Sequence, residues 1–229
     1  MPYTAPDPAR IRTMFAAIAS RYDRANNILS AGVHHLWRRR AVRYSGAGRG
    51  ARVLDCATGT GDLAVAFHTV TGRVVGTDFV AEMVHLARQK APGIPFSVAD
   101  VTQLPFERDS FDIVSIAFGI RNVGNPAKGI EEMARVLKPG GRLVVLEFGQ
   151  PPSPILRRIY DAYRTRLLPR VGGVITGHRD AYAYLDRSSA EFPSGEEFVA
   201  LLKRSAPFVS ADYQPLSFGI AWVYRAVKR

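Results

Sequence analysis

The chain has 229 residues, 47% hydrophobic and 22% charged, a balance that favours one large folded domain and excludes a disordered or fibrous chain. One cysteine, Cys56, excludes an internal disulfide framework, and no apolar run reaches the ~20 residues of a membrane span, so a reducing, cytoplasmic setting is expected. The 31 basic against 20 acidic side chains give a net charge of +11, which attracts polyanions, whether nucleic acid or the anionic face of a membrane, unless it is simply a solvated surface.

Residues 10–45 read as helical, with Ile11, Phe15 and Ile18 at helical spacing. The glycine-rich SGAGRG then leads into alternating strands and helices. Strands are expected at 51–56, 73–78, 95–100, 111–118 and 142–148, and helices at 61–69, 79–90 and 126–137. Lys138-Pro139-Gly140-Gly141 stops the last of these helices. Such alternation predicts a mostly parallel sheet with right-handed crossovers and helices on both faces. The rhythm breaks after Phe148, where 150–193 forms an insertion rich in proline, arginine and tyrosine. A helix at 194–205 and strands at 207–214 and 217–227 close the chain, the last two as an antiparallel hairpin. The expectation is therefore one α/β domain over 1–229: a helical cap (10–45), a Rossmann-like core (50–148), the insertion, and a closing unit (194–229).

Asp55-Cys56-Ala57-Thr58-Gly59-Thr60-Gly61-Asp62 lies where the first strand gives way to a helix. Glycines there let the backbone turn sharply and approach a ligand, and ligands of open α/β sheets bind beyond the carboxyl ends of the strands. The run from Gly59 also fits a dinucleotide fingerprint, with Asp78 near the place of its ribose-binding acid. Two carboxylates flanking the loop, Asp55 and Asp62, argue against a pyrophosphate, which wants bare N–H groups and positive potential. They suit a cofactor carrying an ammonium, a sulfonium and a ribose, which is S-adenosylmethionine. On that reading Asp78 ends the second strand as acceptor for the ribose hydroxyls, followed by Phe79. Asp100 ends the third strand facing an adenine amino group, with the N–H of Val101 beside it. Taken singly, each acid is equally a helix cap or a strand-end turn.

This arrangement resembles the class I S-adenosylmethionine-dependent methyltransferase superfamily across 50–148, which implies a seven-stranded, mostly parallel sheet with an antiparallel final strand. Ala57 stands where that superfamily usually has glycine, a substitution that suits a negative φ. Two further segments are similar to the ubiquinone/menaquinone biosynthesis C-methyltransferases. Tyr22-Asp23-x-x-Asn26-x-x-Leu29-Ser30-x-x-x-His34-x-x-Trp37 resembles their first signature, and Arg135 to Gly141, running to Leu146-Glu147, their second. Phe118-Gly119-Ile120-Arg121-Asn122-Val123 matches the stretch after their fourth strand. Departures are Ala25 for methionine, Gly149 for serine, Ala117 for a cofactor-contacting serine and Tyr224 for histidine.

The resemblance implies methylation of a ring carbon on a demethylated polyprenyl quinol. Arg121, which follows the fourth strand beside the expected methyl, suits the oxyanion as a permanent cation unless it is a surface ion pair, with Asn122 binding the substrate oxygen or holding Arg121; Tyr22 closes over the cofactor or packs in the core. Thr60 and Ala117 join the cofactor set, and no metal is called for. Arg121 stays protonated and is a poor base; His178 and Asp23 are candidates to relay a proton through water, each equally a capping or packing residue. In the insertion, Ile155, Leu156, Ile159, Tyr160, Tyr163, Leu167 and Leu168 alternate with Arg157, Arg158, Arg164, Arg166 and Arg170. That basic amphipathic stretch suits an anionic membrane surface and a greasy tail, or else a lid or a homodimer contact. Nucleic acid as acceptor is disfavoured, because Ala117-Phe118-Gly119-Ile120 lacks the Asn/Asp-Pro-Pro-aromatic run of base-nitrogen methylation. A dinucleotide-dependent oxidoreductase is the rival from another class.

Overall fold

A computed structural model describes residues 6–167 and 177–229. Leu168 and Arg170 of the insertion, and the side chains of Arg166 and Leu167, lie outside that description. Asp7 caps α1 (Pro8–Leu29) by accepting from Ala9 N at 3.0 Å, with proline at the first helical position. The expected single helical stretch is broken at Ala31 and Gly32, both at positive φ, and resumes as α2 (Val33–Ser45). Five strands follow with their helices: β1 (Val53–Cys56), α3 (Asp62–Thr71), β2 (Val74–Asp78), α4 (Ala81–Lys90), β3 (Phe96–Val98), β4 (Phe111–Ala117), α5 (Pro126–Val136) and β5 (Leu137–Phe148).

The sheet has seven strands in the order β3-β2-β1-β4-β5-β7-β6, where β6 is Phe208–Leu216 and β7 Ala221–Lys228. The first five pair in parallel, and β7 enters antiparallel between β5 and β6. One expectation is corrected here. Lys138 to Gly141 does not separate α5 from β5: it lies within β5, whose register to β4 jumps from Phe111↔Leu137 to Ile113↔Arg142. The turn residues are absorbed as an irregularity at the strand's start.

Two apolar layers cover the sheet, as the near-continuous apolar strands require. One contains Ile130, Met133, Phe198 and Leu202 from α5 and α8 (Glu196–Ser205); the other contains Trp37, Ala41, Phe67 and Val84 from α2, α3 and α4. The insertion is more regular than its composition suggested. It forms α6 (Pro154–Ala162), a π-turn (Tyr163–Leu167) and α7 (Arg179–Glu191). Among the described residues no helix is long and apolar enough to cross a membrane.

Three departures from the resembled pattern acquire local causes. A Cβ on Gly149 would come within 2.3 Å of the Trp222 ring, so this chain has no room for serine there. Tyr224 is buried with its hydroxyl accepting from Gly195 N at 2.8 Å, which ties β7 to the start of α8. Ala25 is fully buried in a small cluster with Ile18 and Ala181, where α1 meets α7.

Candidate active site

The loop between β1 and α3 is built on Asp55. Its buried carboxylate accepts from Thr58 Oγ1 and Ser115 Oγ, each at 2.7 Å, and so pins the loop to β4. Burial pushes its carboxyl up to about 6 against those two donors. Gly59 and Gly61 take φ of 57° and 87°. Ala57 is also left-handed, at φ 45°, contrary to the negative value its side chain would suit. Its methyl occupies the space in front of Gly119, where a second Cβ would lie 2.6 Å away. Gly119 is therefore the residue that lets Ala57 stand in the loop.

Above this loop is a cavity of about 340 Å³. Gly59, Asp78, Phe79, Asp100, Val101 and Ala117 line it from the strand ends, and Tyr22 and Asn122 from α1 and the turn after β4. Asp55, Thr60, Gly61 and Arg121 do not. Asp78 is held by Gly59 N at 2.8 Å and Val80 N at 2.9 Å, while burial raises its carboxyl to about 6. Asp100 accepts from Thr102 N and Thr102 Oγ1 at 2.8 Å through one oxygen, Oδ1. Two acids thus meet a concave, otherwise largely apolar space. The lysine in its lining, Lys128, is exposed and paired with Glu131 at 3.1 Å. A ribose and an adenine, which offer hydroxyl and amino donors, fit this set, and a pyrophosphate does not.

Asp62 has no part in that selection, which corrects the sequence argument. Its carboxylate meets Lys90 Nζ at 2.9 Å and Arg38 at 3.5 Å. Burial works against its charge, but Arg38 and Lys90 outweigh burial and hold the carboxyl below its usual range. Thr60 belongs to the same network: its hydroxyl donates to Asp23 Oδ1 at 2.6 Å, and Lys90 reaches Asp23 at 2.5 Å. Asp23 is consequently a tie between α1 and the core, lining neither cavity. His34, His35 and Asp62 bring potential ligand atoms within 4.8 Å of one another. Two cations already answer the acid of that trio.

A second cavity, of about 520 Å³, opens beside the first. Phe15, Tyr22 and Phe118 line both, so the two spaces share a wall. The second is mainly apolar and aromatic, with Trp37, Phe148, Leu156, Ile159, Tyr160 and Tyr184 in its lining, and Arg121 and His34 among its polar members. Arg121 is 4% exposed and fixed from three sides. It donates to Phe118 O at 2.7 Å and to Glu147 Oε1 at 2.5 Å, and its guanidinium lies 5.2 Å from the Phe148 ring centre. Burial raises the Glu147 carboxyl although Arg121 pulls it down. Asn122 donates to Phe118 O at 3.3 Å and accepts from Tyr184 OH at 3.0 Å, which joins the turn to α7.

Glu147 and Tyr184 were not singled out as site residues from the sequence. An acid inside an apolar strand, as in Leu146-Glu147-Phe148, was the available signal for the first; nothing local marked the second. His178, a candidate base, is exposed at the start of α7 and lines neither cavity.

Solved structures share this fold over most of the chain. A possible histamine N-methyltransferase from Thermotoga maritima superposes with a TM-score of 0.70 at 21% identity, covering 96% of this chain and 100% of that one. A phosphoethanolamine N-methyltransferase from Haemonchus contortus, solved with S-adenosylmethionine, gives 0.60 at 16% identity, covering 81% of this chain and 50% of that one. The class is that of S-adenosylmethionine-dependent methyltransferases of the class I fold. More narrowly, the chain belongs to the ubiE/COQ5 methyltransferase family, which matches residues 4–228. A ubiquinone/menaquinone biosynthesis C-methyltransferase of Bdellovibrio bacteriovorus is 50% identical, with 96% of each chain covered. A demethylmenaquinone methyltransferase of Clavibacter sepedonicus is 41% identical over 96% of this chain and 91% of its own length.

Proposed function

We propose that this chain methylates a ring carbon of a demethylated polyprenyl quinol, with the first cavity taking the cofactor and the second the ring. The observation that carries this reading is the division of labour at one turn: Asn122 lines the first cavity and the adjacent Arg121 the second, across the shared wall of Phe15, Tyr22 and Phe118. A flat apolar ring fits an aromatic, mainly apolar space. The relatives named as quinone C-methyltransferases support the same substrate class.

Asp78, Asp100, Gly59, Phe79, Val101 and Ala117 would hold the nucleoside, with Tyr22 over it. S-adenosylmethionine, when bound, supplies a sulfonium methyl that is electrophilic without further activation. The chain has two tasks left: to hold the ring carbon, and to answer negative charge on the neighbouring oxygen. A carbon ortho to a phenolic oxygen becomes far more nucleophilic as that oxygen loses its proton. Arg121 favours the loss by attraction, and because three partners fix its plane it needs no reorganisation. Glu147 does not line the cavity, so the substrate meets the cation and not its counter-acid. Arg121 does not take the proton, since a guanidinium stays protonated; water is the carrier. Confinement of two reactants in adjoining cavities contributes up to about 7–11 kcal/mol of barrier reduction.

A lipid-borne tail needs an opening, and the exposed apolar side chains around the second cavity supply one. Ile159 and Phe218 line it and are 63% and 76% exposed; Ile155, one turn before Ile159, is 73% exposed. Arg157 and Arg158 flank them in the open. That pairing of apolar tips and cations suits the anionic face of a membrane. The decisive test incubates the protein with S-adenosylmethionine and a reduced demethylated naphthoquinone of short tail, and reads products by mass spectrometry. A mass gain of one methyl on a ring carbon is expected. No gain, or a methyl on oxygen, would defeat the reading.

A further inference from the structure

The hydrogen bonds around His34 fix which of its ring nitrogens carries the proton. Ser30 has one hydroxyl hydrogen, and its Oγ lies 2.7 Å from Asn26 O, a carbonyl that can only accept. That hydrogen is spent there. The contact of Ser30 Oγ with His34 Nδ1, at 2.6 Å, must then be donated by the histidine. Nδ1 carries the proton and Nε2 keeps its lone pair. The ring is buried and lines the second cavity. Burial first, then Arg38 and His35, lower its pKa to about 4, so it stays an uncharged acceptor at working pH.

Several other polar groups of that lining already hold partners or carry a fixed charge. Arg121 and Arg38 only donate. Tyr163 OH donates to Leu29 O at 2.5 Å and Tyr184 OH to Asn122 Oδ1 at 3.0 Å. Ser217 Oγ is occupied by Trp37 Nε1 at 2.9 Å. The hydroxyls of the lining can turn either a proton or a lone pair to a ligand and so serve both, whereas His34 Nε2 can only receive a proton donor.

A hydroquinone and its quinone have nearly the same shape but opposite polarity at oxygen. Quinone carbonyls only accept; hydroquinone hydroxyls also donate. A cavity whose polar wall were only cationic would hold both. We infer that His34 Nε2 accepts a hydrogen bond from a ring hydroxyl and thereby selects the reduced form of the substrate over the oxidised form. The inference rests on the reading of the second cavity as the ring site.

Two substitutions separate the role from mere packing. His34→Asn keeps a donor near Nδ1 for Ser30 but offers no acceptor at the Nε2 position. His34→Gln reaches the Nε2 position with a carbonyl oxygen. The full chain with S-adenosylhomocysteine is titrated anaerobically, by calorimetry, with naphthohydroquinone and with naphthoquinone. The native protein is expected to prefer the hydroquinone by about tenfold, the worth of one hydrogen bond to a buried acceptor. His34→Asn should lose that preference with naphthoquinone affinity unchanged, and His34→Gln should restore it. An unaltered preference in His34→Asn overturns the inference, as does equal loss of both ligands with a lowered Tm, which would make the residue structural. If the native protein binds neither ligand, the assignment of the second cavity fails and this inference with it. If the native protein methylates the ring yet binds both forms equally, the selection by His34 alone fails.

Discussion

On the proposed reading of the first cavity, Asp78 ties a single side chain to cofactor affinity. In the free chain its carboxyl is raised by burial from 3.8 to about 6. A raised folded-state pKa means that this group's contribution to stability is full below about 3.8 and is lost as pH rises through about 6. Ribose hydroxyls donate to the carboxylate, so binding favours the ionised form and lowers the pKa. Cofactor binding near pH 6 should therefore release a proton. Calorimetry in buffers of differing ionisation enthalpy reads this directly: buffer-independent heats would show that Asp78 is already ionised or does not meet the ribose. Asp78→Ala should weaken cofactor binding by tenfold or more, about 1.4 kcal/mol.

Arg121 shows why one residue's test needs its partner. Arg121→Ala removes the cation and strands Glu147 buried, a change that costs about 3–5 kcal/mol in stability. Replacing both, as Arg121→Met with Glu147→Leu, removes the charge pair together and is expected to leave folding nearly neutral. The double variant should keep cofactor affinity and lose methyl transfer by at least a hundredfold, about 2.7 kcal/mol. Retained transfer would remove Arg121 from the chemistry.

At the scale of elements, α1 roofs the first cavity, to which it contributes Pro8, Phe15 and Tyr22. Its tie to the core is the Asp23–Lys90–Thr60 cluster. The pair is partly exposed, with Asp23 and Lys90 side chains 37% and 33% accessible, so it is worth roughly 0.2–1 kcal/mol. Asp23→Asn should speed cofactor dissociation two- to fivefold, and added salt should do the same to the native chain but not to the variant. Stopped-flow release measurements decide it: identical rates would mean that α1 is held by its apolar contacts alone.

The element scale also marks how far the sequence was legible. Apolar runs foretold β1 to β5 in order, because a buried parallel strand is apolar throughout, although β3 stops at Val98, short of the Asp100 expected to end it. Lys138 to Gly141 misled, since turn residues can sit inside a strand at a bulge, and only pairing with β4 reveals that. The α1–α2 break at Ala31 and Gly32 was equally hidden in a continuous helical pattern.

For the whole molecule, net charge and one apolar rim act together. With +11 overall and Ile155, Ile159 and Phe218 exposed beside Arg157 and Arg158, the chain should float with vesicles containing anionic lipid and stay behind with neutral ones. Replacing Ile155, Ile159 and Phe218 by serine should abolish flotation while cofactor affinity is unchanged. Persistent flotation would place the contact on the general positive field and not on this rim.

What the chain itself determined was the alternation of strand and helix, the glycine loop after β1, Asp78 at the end of β2 and Asp100 just past β3. All of these are local: they follow from periodicity and from what glycine and aspartate do at a strand terminus. The tertiary structure decided which charges face the site. Asp55 and Asp62, adjacent to the loop in sequence, were turned inward to Thr58 and Ser115, and sideways to Arg38 and Lys90. Glu147 and Tyr184, distant in sequence, were brought to Arg121 and Asn122. A charge in an apolar interior must find its partner through space, and pairings between distant segments leave no periodic trace in the chain.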